Sequence, residues 1–283
     1  MKMKQQRDRI WRWLALIAVL LNVVFSYQSD NFMPGQAIGV VTQKYDSLFT
    51  PATYAFSIWG IIYTAFILFA IYQLLPPQRS VLLFDTLSKP FIFLNLLAMI
   101  WIAVYRMDFI FLSAVVISVM LATSIMLYLL VRNAVLRHEQ SNWLSVPFSL
   151  LAAWLSVATL ANICILLISQ DWAGGAVIQI TSTMVMILVV GLLGVFVSYR
   201  CADFIFTAVI SWACIAIFIA RGSEYYSIGA VALLSASFPV LWFLLAITKG
   251  IAYRHRVWAN KFSFGETIRL KLNGQNKLFF GRL

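Results

Sequence analysis

The sequence predicts an all-α polytopic membrane helix bundle of eight transmembrane helices, and three observations carry that expectation. Eight apolar stretches fill the chain between Leu14 and Ile247, and a helix needs about 20 residues to cross a hydrocarbon core roughly 30 Å thick. Hydrophobic residues make up 62% of the 283 and charged residues only 11%, less than half the ~25% charged of a soluble domain. The basic residues also alternate between segments. With the N-terminus taken as cytoplasmic, that face carries five Lys and Arg in the head, two, two and one in its inter-span segments, and eight in the tail. The other face keeps only Lys44, Arg106 and Arg221. Such a bias sets orientation, whereas acidic residues contribute little.

The spans are Leu14–Tyr27, Tyr54–Leu75, Phe91–Tyr105, Phe109–Val131, Trp143–Ile168, Ala176–Ser198, Phe204–Ala220 and Ile228–Ile247. The first, third and seventh are short and are expected to extend into their flanks. None shows the two-residue alternation of a barrel strand. Ahead of the first span, Lys2, Lys4, Arg7, Arg9 and Arg12 read as anchors facing anionic lipid. Trp11 and Trp13 form an interfacial pair typical of a retained helix. The alternative is a signal peptide cleaved near Val24-Phe25-Ser26, which leaves seven spans.

Gln28–Phe49 is the one long inter-span loop, with Pro34-Gly35, Asp30, Asp46 and several aromatics; it reads equally as a binding lid or a passive surface loop. Pro76-Pro77 ends the second span by fixing backbone angles and removing donors. The chain thus divides into a basic head (1–13), five spans (14–168), three further spans (169–248) and a basic tail (249–283). In the tail, Thr267 to Gly274 alternates into an Asn-Gly turn and reads either as a small hairpin on the membrane or as disordered chain.

The net charge of +11 lies at the membrane faces, so the expected partners are membrane lipids and not nucleic acid, and the expected location is a bacterial inner membrane with both termini cytoplasmic. Cys164, Cys201 and Cys214 form no CxxC pair and have no adjacent His, so no metal site is expected. All ionisable residues fall at span ends or in loops. That argues against a proton relay across the membrane and against an acid/base enzyme, since such chemistry needs titratable groups inside. Gly191 and Gly194 are not spaced as GxxxG and give no dimer signal; a homodimer stays open.

What the spans do hold is tryptophan and asparagine. Trp59, Trp101, Trp154, Trp212 and Trp242 lie within helices, and Asn22, Asn95 and Asn162 lie in the first, third and fifth spans. An asparagine in lipid has to find a partner, so all three are expected to face the bundle interior, as interhelical ties or as polar contacts in a Trp-lined pocket. Such a pocket suits a flat, largely hydrophobic ligand.

Two local patterns carry a resemblance. Pro51-Ala52-Thr53-Tyr54-Ala55-Phe56-Ser57-Ile58-Trp59-Gly60-Ile61-Ile62-Tyr63 resembles the start of the second helix in the translocator protein family (tryptophan-rich sensory proteins, TspO/MBR). Trp154-Leu155-Ser156-Val157-Ala158-Thr159-Leu160-Ala161-Asn162 resembles that family's fifth helix, and Leu94-Asn95 its third-helix Leu-Asn. The match covers the first five spans in order. The sequence departs from the family pattern in a shorter Phe56 to Trp59 gap, in Pro147-Phe148 standing further ahead of Trp154, in Trp101 standing further from Asn95, and in three added spans.

The resemblance implies a five-helix bundle that binds tetrapyrroles or sterol-like molecules, in a sensory or regulatory role. No resident cofactor is implied; a porphyrin or haem would be the ligand. Carried over by position, Trp59, Tyr63, Trp154 and Ala158 would be pocket wall, Asn95 and Asn162 polar contacts, and the Gln28–Phe49 loop the lid. The alternative reading is a transporter or permease for an uncharged or amphipathic small molecule, which the missing intramembrane charges also fit.

Overall fold

Lipid offers backbone amides no partner, so each apolar run closes its own hydrogen bonds as a helix. The computed structural model describes residues 2–172 and 174–248. In chain order the helices are α1 (Lys2–Phe32), α2 (Ile38–Lys44), α3 (Ile58–Tyr72), α4 (Leu82–Arg106), α5 (Ile110–Leu136), α6 (Val146–Ser169), α7 (Ala176–Cys201), α8 (Phe204–Arg221) and α9 (Tyr226–Thr248). All but the short α2 are long and apolar enough to cross a bilayer, α3 together with the 3-10 turn Thr53–Ser57 that leads into it. The chain is an integral membrane protein. The tail from residue 249, with its candidate hairpin, lies outside the described residues.

Three expectations need correction. The long loop is largely helical: Gln28–Phe32 ends α1, and Ile38–Lys44 forms α2. The short third span extends into its flank as expected, with α4 running from Leu82 through Pro90. Lys89, expected in a loop, therefore sits on α4, with its ammonium 4.9 Å from the ring centroid of Trp11. Arg12 does not face lipid: it is 3% exposed.

α1 packs on α3 and α4, α4 on α5, α5 on α6, and α6 back on α3, closing a five-helix ring. α1 and α4 are parallel and keep one register. Arg12 Nε meets Asp85 at 2.6 Å, and Asn22 Nδ2 donates to Asn95 Oδ1 at 2.9 Å, both pairs 73 residues apart. α1 runs unbroken through Val24-Phe25-Ser26, and without it Asp85 and Asn95 would lose these partners. Phe66, Phe69, Phe91 and Phe148 fill the half of the ring nearer the N-terminal face, with centroids 4.8–5.8 Å apart in the edge-to-face pairs they form.

α7, α8 and α9 pack on one another, and α8 docks against α6. Gly191 lets α7 approach α9 closely: a Cβ there would lie 2.8 Å from Ser235 Cβ. The two glycines thus serve contacts within the chain. At the N-terminal face Arg132 of α5 ties the second group to the first. Its guanidinium donates to the carbonyls of Cys201 (2.7 and 3.0 Å) and Ala202 (2.7 Å) at the end of α7, and to Ser145 Oγ at 3.2 Å. Asp203 then caps α8, accepting from Phe206 N at 3.1 Å and Ser149 Oγ at 2.6 Å.

Arg132→Leu leaves those carbonyls without donors and is expected to cost about 2–4 kcal/mol, by the general magnitude for breaking a buried charged network. Thermal unfolding in detergent reads this as a lowered Tm. Arg132→Lys should recover only part, because an ammonium cannot reproduce the planar fork.

Candidate functional site

Above the phenylalanine plug the ring is not filled. A cavity runs from mid-bundle to the face opposite the N-terminus, with about 600 Å³ of atom-free space counting its open side; only about 50 Å³ of this is wide enough for the centre of a water-sized molecule. It is a narrow slot, well below the several hundred Å³ of a typical small-molecule site, so a ligand the size of a porphyrin enters it only as its walls part. Phe56 and Trp59 form one wall, Trp101 and Tyr105 of α4 another, and Ile117 and Met120 of α5 a third. α6 supplies Trp154, Ala158 and Asn162, and α2 closes the outer end with Ile38 and Thr42.

The α6 wall follows from helical spacing. Trp154, Ala158 and Asn162 stand four apart and so share one face, spread over about 12 Å of axis. Ala158 and Ala161 are small and leave the space that the larger side chains border. Phe56 meets Trp154 edge to face, with centroids 5.8 Å apart, which fixes the inner end of the slot.

Four of the six candidate residues line this cavity: Trp59, Trp154, Ala158 and Asn162. Tyr63 and Asn95 do not. Tyr63 lies one turn deeper than Trp59 on α3, stacked on it at 5.5 Å, with its hydroxyl 2.7 Å from Ser26 Oγ of α1. Asn95 turns toward α1, accepting from Asn22 and donating to Phe91 O at 2.8 Å. These two join α1 to the ring and back the wall without forming it. Trp101, Tyr105 and Thr50 are lining residues absent from the candidate set. Trp101 stands six residues after Asn95, roughly 240° around the helix, so the two face different neighbours.

The polar chemistry of the slot is unusual. The indole Nε1–H groups of Trp101 and Trp154 and the Thr50 hydroxyl are buried with no hydrogen-bond partner among the described residues. The Asn162 amide uses one end on Ser113 Oγ at 3.2 Å, and its other end is unpartnered. The Ser113 proton also has Ile110 O at 2.7 Å, so either end of the Asn162 amide satisfies Ser113 and the remaining atom, donor or acceptor, is left without a partner on a residue that lines the cavity. Buried N–H groups without acceptors are rare in folded proteins. No charged side chain lines the slot, and among the described residues no group of three His, Cys, Asp or Glu could hold a metal ion.

The outer end is strapped down electrostatically. Every basic residue on this face is paired with an aspartate: Arg106 with Asp30, Lys44 with Asp108, and Arg221 with Asp46. Tyr45 adds a hydrogen bond to Asp108 at 2.8 Å, and Thr42 Oγ1 meets Tyr105 OH at 3.0 Å. Gly35, at φ +104, brings its backbone against Arg106 O, where a Cβ would sit 2.4 Å away; Gln36 N donates to that same oxygen at 2.9 Å. The Pro-Gly pair thus docks the α1–α2 connection on α4. Partial burial raises the Asp108 carboxyl, but the hydrogen bonds from Lys44 and Tyr45 outweigh it and leave the group below its ordinary value. Lys44 is held above its own, chiefly by the hydrogen bond to Asp108.

The profile of the TSPO-like protein family matches residues 12–247, which takes in all eight spans and not the first five alone. Among curated proteins no match was found, and no solved structure matches.

The shifts fix the pH dependence of the strap. A carboxyl lowered in the folded state stabilises above about pH 4 and loses its contribution as pH falls through its lowered value; a raised lysine stabilises below about pH 10 and loses it as pH rises through its raised value. Hydrogen exchange of residues 33–47 is therefore expected to show constant protection, after correction for intrinsic rates, from about pH 5 to 9 and weaker protection below about pH 4. Asp108→Asn should abolish that acid step.

Proposed function

The chain belongs to the TSPO-like protein family, and we propose that its cavity binds a flat, largely apolar small molecule carrying hydrogen-bond acceptors, in a sensory or regulatory role. The observation that supports this reading is the pair of orphaned indole N–H groups, with the Asn162 amide, inside a narrow apolar slot. Each is costly to bury unpaired, and a ligand acceptor would remove that cost. A tetrapyrrole such as a porphyrin or haem supplies several acceptors at the edges of a flat ring; a sterol-like molecule supplies a single hydroxyl and fits the donor set less well. The absence of charge in the wall also favours binding over coupled transport, which relies on titratable residues along the path. The basic bias of the N-terminal face supports an inner-membrane protein with cytoplasmic termini.

Titration of the detergent-solubilised protein with protoporphyrin IX, followed by tryptophan quenching, tests the reading. Saturable binding is expected. Trp154→Phe and Asn162→Leu should each weaken it about fivefold, the general worth of one hydrogen bond. Asn95→Leu and Tyr63→Phe, which alter residues off the wall, should change it less than about twofold while lowering thermal stability by about 1 kcal/mol. Equal affinity in all variants would refute the pocket, and protein-dependent porphyrin flux across sealed vesicles would favour a permease instead.

A further inference from the structure

The last three helices do more than cover the core. Between α2 and α3 the chain runs through Thr50, Pro51 and Phe56, all on the cavity wall, and α8 grips this segment at each end and in the middle. Arg221 Nη2, at the end of α8, contacts Asp46 Oδ1 at 2.6 Å and Ser47 O at 3.2 Å. Ala52 N donates to Ala216 O of α8 at 3.0 Å. Trp212 Nε1 donates to Ala55 O at 3.4 Å, and its ring meets Tyr54 edge to face at 5.0 Å. Residues 46–55 therefore have backbone or side-chain partners on α8 at both ends and near the middle, while Thr50 Oγ1 between them is buried without a partner among the described residues.

We infer that α8 is the positioning element of the cavity's outer wall, and that Arg221 and Trp212 set how long a ligand stays in the slot. Neither residue lines the cavity; they act through the segment they hold. The reasoning is one of local opening. The stretch ahead of the 3-10 turn Thr53–Ser57 lies in no helix, so its local opening is limited by the buried Leu48 and Phe49 and by these ties, and ligand escape from a covered slot requires such opening. A five-helix ring alone would leave Asp46, Ala52 and Ala55 without these partners. The residence-time part rests on the ligand-binding reading above; the fixing of the wall does not.

The test uses the full-length protein in detergent and reads two quantities. Hydrogen exchange of residues 45–57 is compared in wild type, Trp212→Phe, Arg221→Asp and the swapped pair Arg221→Asp with Asp46→Arg. Trp212→Phe keeps a smaller ring on the Tyr54 side and removes the donor. Each single change is expected to speed exchange in this segment about threefold to fivefold, the scale of one partly exposed tie, with the rest of the bundle unaltered. The swapped pair should restore protection. The dissociation rate of protoporphyrin IX should rise by a similar factor in the single variants, with the association rate nearly unchanged. Unaltered exchange at 45–57 in both single variants overturns the inference. Should Arg221→Asp loosen the whole bundle, the swapped pair decides: restored protection supports the tie, and continued loss refutes it. Wild type that fails to bind porphyrin, with exchange responding as expected, sinks the binding reading and leaves α8 as the fixing element of the wall.

Discussion

The fold turns on what becomes of backbone carbonyls at helix ends. The last turn of a helix leaves carbonyls without internal donors, and near a bilayer water is not always there to take them. Two arginines meet this need on the N-terminal face. Arg12 donates to the carbonyls of Gln73 (3.2 Å), Gln78 (2.7 Å) and Val81 (3.0 Å), which end α3 and lead into α4, and its remaining N–H engages Asp85. Arg132 does the same for the end of α7. Each guanidinium offers five donors in a rigid fork, so one side chain can stitch two or three chain segments at once. Without them α1 would keep only the 3.5 Å contact from Gln73 Nε2 to the Arg12 carbonyl as a polar anchor at the end of α3, and the carbonyls at the end of α7 would lose their donors on α5.

The cavity is a consequence of uneven filling above that foundation. Large aromatic rings close the half of the ring near the arginines, whereas the other half pairs bulky indoles with alanines and keeps a gap. The segment from α2 to α3 then covers the gap, with Val41 and Phe49 packed into buried apolar clusters. Three ion pairs spread over α4, the α4–α5 turn and α8 add to this hold, so no single helix controls it.

Much of this was legible in the sequence. Long apolar runs and alternating basic flanks gave all eight spans, because length and charge are properties of each segment alone. Trp154, Ala158 and Asn162 were named as pocket residues through the family resemblance; that their four-residue spacing puts them on one face emerged only with α6 in view. What could not be read is which way an isolated polar residue turns. Asn95 and Asn162 look alike in sequence, yet one faces α1 and the other the slot, a choice made by the helix packed opposite. The helix within the first long loop was hidden by its polar, aromatic-rich surroundings, and α4 continues through Pro90 although proline usually marks a boundary. Arg12 looked like one more member of a basic head; only its position one turn ahead of the apolar run set it apart, and its partners lie more than 60 residues away.

The constant offset of 73 residues between α1 and α4 also says something about how the chain is made. Ribosomes add about 5–20 residues per second, so α1 enters the membrane roughly 4–15 s before its polar partners on α4 have been synthesised. During that interval the Asn22 amide is embedded in lipid with neither Asn95 nor α4 beside it, and within α1 only the Ser26 hydroxyl (3.3 Å) and the helix's own carbonyls can partner it. The N-terminal half of the protein therefore commits to its final arrangement when α4 arrives and not when α1 does, which makes the fourth helix in the chain the clock for assembly of the first.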